Sequence, residues 1–324
     1  MIKHKLPSVK FRGISPEALA KLAGLATRSE FELDLTVKAY LHGQKVGLDI
    51  MHSYLDFMAH YISKIVKFPT IYSLHDPPYP GNTLDYWRLK HFPKDIYIPI
   101  SISHRNSFGK LVRFTSVIYH GLNINSYKFH VHKGHSLVFM GRYLKEKGLV
   151  EAIETAKRLR IPLHIAGDKA YRRLAYYQKD IKPLLSRGHI QEIGFMDGSA
   201  KNEFLGKARA FLFPIKWEEP FGMVMLEAMA CGTPVIAYNR GSVPEIVKDG
   251  VTGFIVNPPK TDLQDQSDKE WIIKKRGIEG LVEAVGRIGE IDRRACRKHV
   301  EENFTIDKMV AGYEKVYQKI LSKI

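Results

Sequence analysis

From residue 48 onward, short apolar runs alternate with amphipathic stretches. Runs at 48–53, 69–74, 95–101 and 115–121 read as buried strands, with helical segments such as 53–65 and 83–91 between them. Such β–α alternation predicts a parallel sheet covered by helices. The pattern pauses over 122–135, a polar stretch without a clear period. It resumes with strands at 136–141, 161–167, 189–195, 209–215, 233–238 and 252–256. Helices are expected between them at 148–160, 170–186, 199–208, 221–231 and 243–249, and three more at 276–288, 291–303 and 305–323. The parse that follows is α/β: two doubly wound, Rossmann-type domains facing a cleft. Residues 1–130 form the first and 131–324 the second, with helix 305–323 placed to pack back on the first.

The first 47 residues do not fit this rhythm. Ser15 is a good N-cap with Pro16 at the first helical position, so a helix is expected over 15–26. Its Leu19, Leu22 and Leu25 share one face, suited to packing on a sheet or lying on a lipid surface. No strand followed by a Gly-rich turn opens the first domain, which is therefore expected to be incomplete at its start.

Composition narrows the class. With 324 residues the chain has room for two domains and sizeable cores. No apolar run reaches the length of a membrane span, and the start lacks the apolar stretch of a secretory signal. Cys231 and Cys296 cannot build a disulfide framework, which points to a reducing cytoplasm. The net charge is +16, of which residues 1–135 carry +9, so charge is densest in the first domain. That surface suits anionic partners: phosphorylated substrates or an anionic inner membrane face. Nucleic acid is set aside, because neither zinc-finger spacing nor an RNA-binding signature is present.

The segment 213–256 carries the most chemistry. A strand ends at Pro214, a loop brings Trp217, Glu218, Glu219 and Pro220, and a helix opens near Phe221 and Gly222. A helix N-terminus beyond a parallel strand's carboxyl end is a natural anion site, and Gly222 allows close backbone approach. Glu227 lies inside that helix among Met225, Leu226, Ala228 and Met229. A carboxylate there needs partners, and a ribose diol would serve; a place at the helix's solvent edge fits the spacing equally well.

The pairing of Glu219 with Glu227, seven residues between them, resembles the donor-binding half of retaining glycosyltransferases of family 4, which have the GT-B fold. The likeness is strongest over 213–256, good over 136–212, and looser before that. It implies that Glu227 holds the donor ribose and that Glu219 contacts the transferred sugar. It also implies that main-chain amides from Phe221 through Gly222 and Met223 to Val224 bind sugar and diphosphate. Arg142 and Lys147, after the first strand of the second domain, match the pair that grips the diphosphate. Two cations and a helix N-terminus can stabilise a departing nucleoside diphosphate without a metal, and the chain has no Asp-x-Asp. His75, just past a strand end, matches a histidine near the transferred sugar and acceptor, and a turn role suits it equally.

The resemblance thus implies a metal-independent transfer of a sugar, with retention, from a nucleotide sugar to a hydroxyl acceptor. A UDP-sugar comes first as donor, with GDP- and ADP-sugars open and no cofactor expected. The acceptor, a glycan, lipid or small molecule, would meet the basic first domain. A second reading is a weakly active or silent sugar-nucleotide-binding protein, or a truncated enzyme, motivated by the missing opening strand. Three features are set aside. His130, His132 and His135 have a spacing that could bind zinc but lack a Cys or carboxylate partner nearby. Ser242 and Glu245 form a capping-box pattern, which accounts for that glutamate as a helix start. Ser101 and Ser103 are taken as caps of the helix they precede.

Overall fold

The computed structural model describes residues 25–54, 58–78, 83–185, 189–261 and 270–323. Most of the expected helix over 15–26 lies outside them; the first described helix, α1, spans Leu25–Val46. The first sheet holds β1 (Met51–Ser53), β2 (Thr70–Ser73) and β3 (Ile96–Ile98), all parallel and in that order. Around it run α2 (Ala59–Ile62), α3 (Thr83–His91) and α4 (Ile102–Ser107). Residues 115–121, expected as a fourth strand, hang on β3 by only a few bonds. Thr115 donates its N–H to Tyr97 and Ile118 to Pro99, both at 3.1 Å. Pro99 has no N–H to return, which ends the ladder there.

The second sheet takes β4 (Leu137–Met140), β5 (Leu163–Ala166), β6 (Ile190–Gly194), β7 (Ala210–Phe213), β8 (Val235–Tyr238) and β9 (Gly253–Val256). Their spatial order is β6-β5-β4-β7-β8-β9, all parallel, which is the doubly wound order with its switch point between β4 and β7. Strands β7, β8 and β9 are buried at every residue, which is why they read as unbroken apolar runs. The helices are α5 (Leu149–Leu159), α6 (Gly198–Gly206), α7 (Met223–Ala230), α8 (Val243–Ile246), α9 (Gly277–Arg287), α10 (Arg293–Asn303) and α11 (Ile306–Leu321). In α5, Leu149, Ala152, Ile153 and Ala156 form the fully buried stripe that its period predicts. The helix expected at 170–186 is instead a 3-10 turn, a π turn and a second 3-10 turn. Pro183 in that stretch lacks the N–H that an α-helix would use.

The chain passes between the halves twice, and the two passages touch. Leu122 donates to Phe304 O at 2.8 Å and accepts from Ile306 N–H at 3.0 Å. Gly121 lies so close to Thr305 that a Cβ would overlap its carbonyl. Beyond this point α11 returns to the first sheet, where Tyr313, Val316 and Ile320 share a buried cluster with Ile71, Ile98 and Ile118. The joint segment is pinned from α10: Arg297 donates to the carbonyls of Tyr127, Ala230 and Ile124. The buried Arg293 bonds the carbonyls of His130, Ala208 and Gly206. His130 thus serves the joint through its backbone, while its ring packs against Gly206.

Candidate active site

The switch point brings two loops together: 141–148 after β4 and 214–222 after β7. Gly148, at φ 75°, closes the first loop and lets the backbone press on the Pro214 carbonyl where no Cβ would fit. This contact places Lys147 against the second loop. Its Nζ donates to Glu219 Oε2 at 2.8 Å, and Trp217 Nε1 donates to the same oxygen at 2.8 Å. The ammonium also lies 4.6 Å from the Trp217 ring centroid. Both charged side chains are largely buried, 13% and 12% exposed, so each depends on the other. Arg142 is exposed and makes no ion pair with a described residue, so the structure does not join it to Lys147.

The backbone of Glu219 is locked from β8's loop. Ser242 N–H donates to Glu219 O at 2.9 Å, and Gly241, at φ 55°, packs against the Glu219 backbone. Ser242 Oγ donates to Phe221 O at 2.7 Å. Neighbouring Glu218 faces away, onto Arg240 Nη1 and the Gly241 N–H. Gly222 opens α7 at φ 79°, where a Cβ would stand 2.7 Å from Met225 Cε. No side chain caps α7, so the first amides, Met223 and Val224, carry its positive end toward the crevice.

Glu227 is 13% exposed, which excludes the solvent-edge position that its spacing left open. Its Oε1 accepts from Lys201 Nζ at 2.6 Å and from the Tyr127 hydroxyl at 2.9 Å. Burial and this carboxylate push the Tyr127 hydroxyl's pKa up, and the same two causes raise the Cys231 thiol to about 12. Neither Lys201 nor Tyr127 was legible as a site residue, because they come from 26 and 100 residues away.

Across the crevice, His75 follows β2. Its Nε2 is buried without a hydrogen-bond partner. Its ring stacks on His120 at 5.1 Å between centroids and leans on Tyr54 at 5.5 Å. Burial lowers the His75 pKa and takes His120 to about 4, so both imidazoles are neutral at pH 7. His120 in turn meets Phe221 edge-on at 5.0 Å, bridging His75 to the start of α7. His120 closes the run 115–121 as His75 follows 69–74; the same position rule would have singled it out.

The Ser242–Glu245 capping box does not form. Ser242 gives its hydroxyl to Phe221, and Glu245 reaches the other half. Its two oxygens accept from the N–H groups of Ile102 and Ser103, each at 2.7 Å, and Tyr119 donates its hydroxyl at 2.8 Å. Ser101 does cap α4, accepting from His104 N–H at 2.9 Å.

The family model described as glycosyl transferases group 1 matches residues 127–288, half of the chain. The chain belongs to this glycosyltransferase family. Similar curated proteins include the uncharacterized glycosyltransferase MJ1178 of Methanocaldococcus jannaschii. It is 26% identical over 336 residues, covering 99% of this chain and 85% of that protein. The alpha-maltose-1-phosphate synthase of Mycobacterium tuberculosis is 34% identical over 188 residues, 55% of this chain and 47% of its own length. Among solved structures, Anabaena HepE in complex with UDP and glucose superposes with a TM-score of 0.70 at 18% identity. The match covers 93% of this glycosyltransferase and 83% of that chain. Sucrose-phosphate synthase of Thermosynechococcus elongatus gives 0.71 at 18%, covering 90% and 79%. The two Rossmann-like domains of this glycosyltransferase are thus those of the GT-B fold. No helix among the described residues is long and apolar enough to cross a membrane.

Proposed function

We propose that this glycosyltransferase moves a hexose from a nucleotide diphosphate sugar, a UDP-sugar first, to a hydroxyl acceptor with retention and without a metal, as in family 4. The observation that carries the reading is the meeting of Lys147 and Glu219 beside the uncapped start of α7, with Glu227 further along the same helix. A donor diphosphate would take Lys147 from Glu219 and sit on the Met223 and Val224 amides. Exposed Arg142 would swing onto the outer phosphate. Glu227 would accept from the ribose hydroxyls, and the freed Glu219 from a hydroxyl of the transferred sugar. His75, with its unpartnered Nε2, would orient a sugar or acceptor hydroxyl.

In the step itself, the bond from the anomeric carbon to the diphosphate oxygen breaks while the acceptor oxygen bonds the same face. The acceptor's proton passes to the departing diphosphate, whose growing charge Lys147 and the α7 amides stabilise. The basic first half would face an anionic acceptor or an anionic membrane surface, a contact that should fade as salt rises. The test supplies a panel of nucleotide sugars with and without acceptors, in chelator, and follows nucleoside diphosphate release and the anomer formed. Inversion, or release that requires a divalent ion, would refute the proposal.

A further inference from the structure

We propose that Glu245 is a positioning residue that sets how the two halves close over the site. The inference deepens the glycosyltransferase reading and rests on it. The first N–H groups of a helix have no partner within the helix, and Ser101 serves only that of His104. Those of Ile102 and Ser103 go to Glu245, one to each oxygen, from a residue more than 140 positions away in the other half. Such paired, charge-assisted bonds fix direction as well as distance. Tyr119, also of the first half, supplies the third bond to the same carboxylate.

The residues just before Glu245 are those that frame the donor loop. Gly241 packs on the Glu219 backbone, and Ser242 bonds both Glu219 and Phe221. Phe221 touches the rings of Tyr119, His120 and Phe304. Parting the first half from α8 therefore breaks three hydrogen bonds, two from α4 and one from Tyr119, or drags the loop that holds Glu219. The separation of Glu219 from His75 is set by this contact. Lys147, Glu227 and α7 all belong to the second half, so nucleotide binding does not depend on it.

The experiment uses the full chain with Glu245→Gln and Glu245→Ala, and three readouts. Hydrogen exchange of peptides over 100–107 reports the Ile102 and Ser103 amides directly. Expected is exchange about tenfold faster, turnover lower by about ten- to a hundredfold, and nucleoside diphosphate Kd within about twofold of wild type. The melting temperature should stay close to wild type, and Tyr119→Phe should move exchange and turnover in the same direction by less. Unchanged exchange, or unchanged turnover, would overturn the inference. So would a joint loss of nucleotide affinity and melting temperature, the mark of a general structural role. Exchange needs no substrate: a wild-type chain that transfers no sugar would count against the glycosyltransferase reading, while the exchange data still decide the contact.

Discussion

Replacing Glu219 by Gln should make the protein bind a nucleoside diphosphate more tightly while it transfers sugar more slowly. Lys147 is paired with Glu219, and on the proposed reading the diphosphate takes that same cation, so binding would first break the pair. Exposed ion pairs contribute about 0–1 kcal/mol, and removing one partner of a buried pair costs about 3–5 kcal/mol. At 13% and 12% exposure, with the Trp217 ring beneath the ammonium, the pair lies between these limits, at about 2 kcal/mol. Gln keeps a neutral hydrogen bond worth about half of that. The competition relieved is then about 1 kcal/mol, or about fivefold in Kd. Titration calorimetry with UDP, GDP and ADP measures the gain, and steady-state transfer measures the loss of the sugar contact. A Glu219→Gln protein that binds the diphosphate more weakly, or transfers at the wild-type rate, would refute the reasoning.

Glu227→Gln should weaken the nucleotide by about 1–3 kcal/mol through lost charged bonds to the ribose, read by the same calorimetry with the melting temperature as control. Gly222→Ala puts a Cβ 2.7 Å from Met225 Cε at φ 79° and should cost about 1–3 kcal/mol in a urea melt, with donor affinity falling alongside. His120 and His52, both held near a pKa of 4 by burial, bind fewer protons folded than unfolded between pH 4 and the ordinary histidine value near 6.5. Their stabilisation is present above that value and is lost as pH falls toward 4, by up to about 3 kcal/mol each. Urea midpoints across this range should fall with pH, and His120→Phe should flatten the decline.

The second half was legible because its strands are buried on both faces and leave unbroken apolar runs, and because α5 keeps one buried stripe. The meeting of Lys147 and Glu219 was not legible: two separate motifs named the residues, Lys147 beside Arg142 and Glu219 beside Glu227, and only the switch point between β4 and β7 explains their contact. What the sequence concealed was long-range. Tyr127 and Lys201 converge on Glu227 from distant segments with no shared spacing. Glu245 satisfies a local capping pattern, yet two unpaired amides across the cleft outcompete it. In the first half, Pro99 stops a ladder that the apolar run at 115–121 would otherwise continue, and in the second Pro183 breaks a helix that periodicity favours.

The return of α11 to the first sheet sets a rule for anyone exchanging halves between glycosyltransferases of this kind. The cut near residue 130 looks natural along the chain, yet a fragment ending there would leave Ile71, Ile98 and Ile118 without Tyr313, Val316 and Ile320. A transplanted first half must bring the last helix with it, as a circular permutant that joins 306–321 to the start or as a chimera with two junctions. For the same reason, a stop codon before residue 306 would strike first at the first sheet, although the lost residues are the farthest from it in sequence.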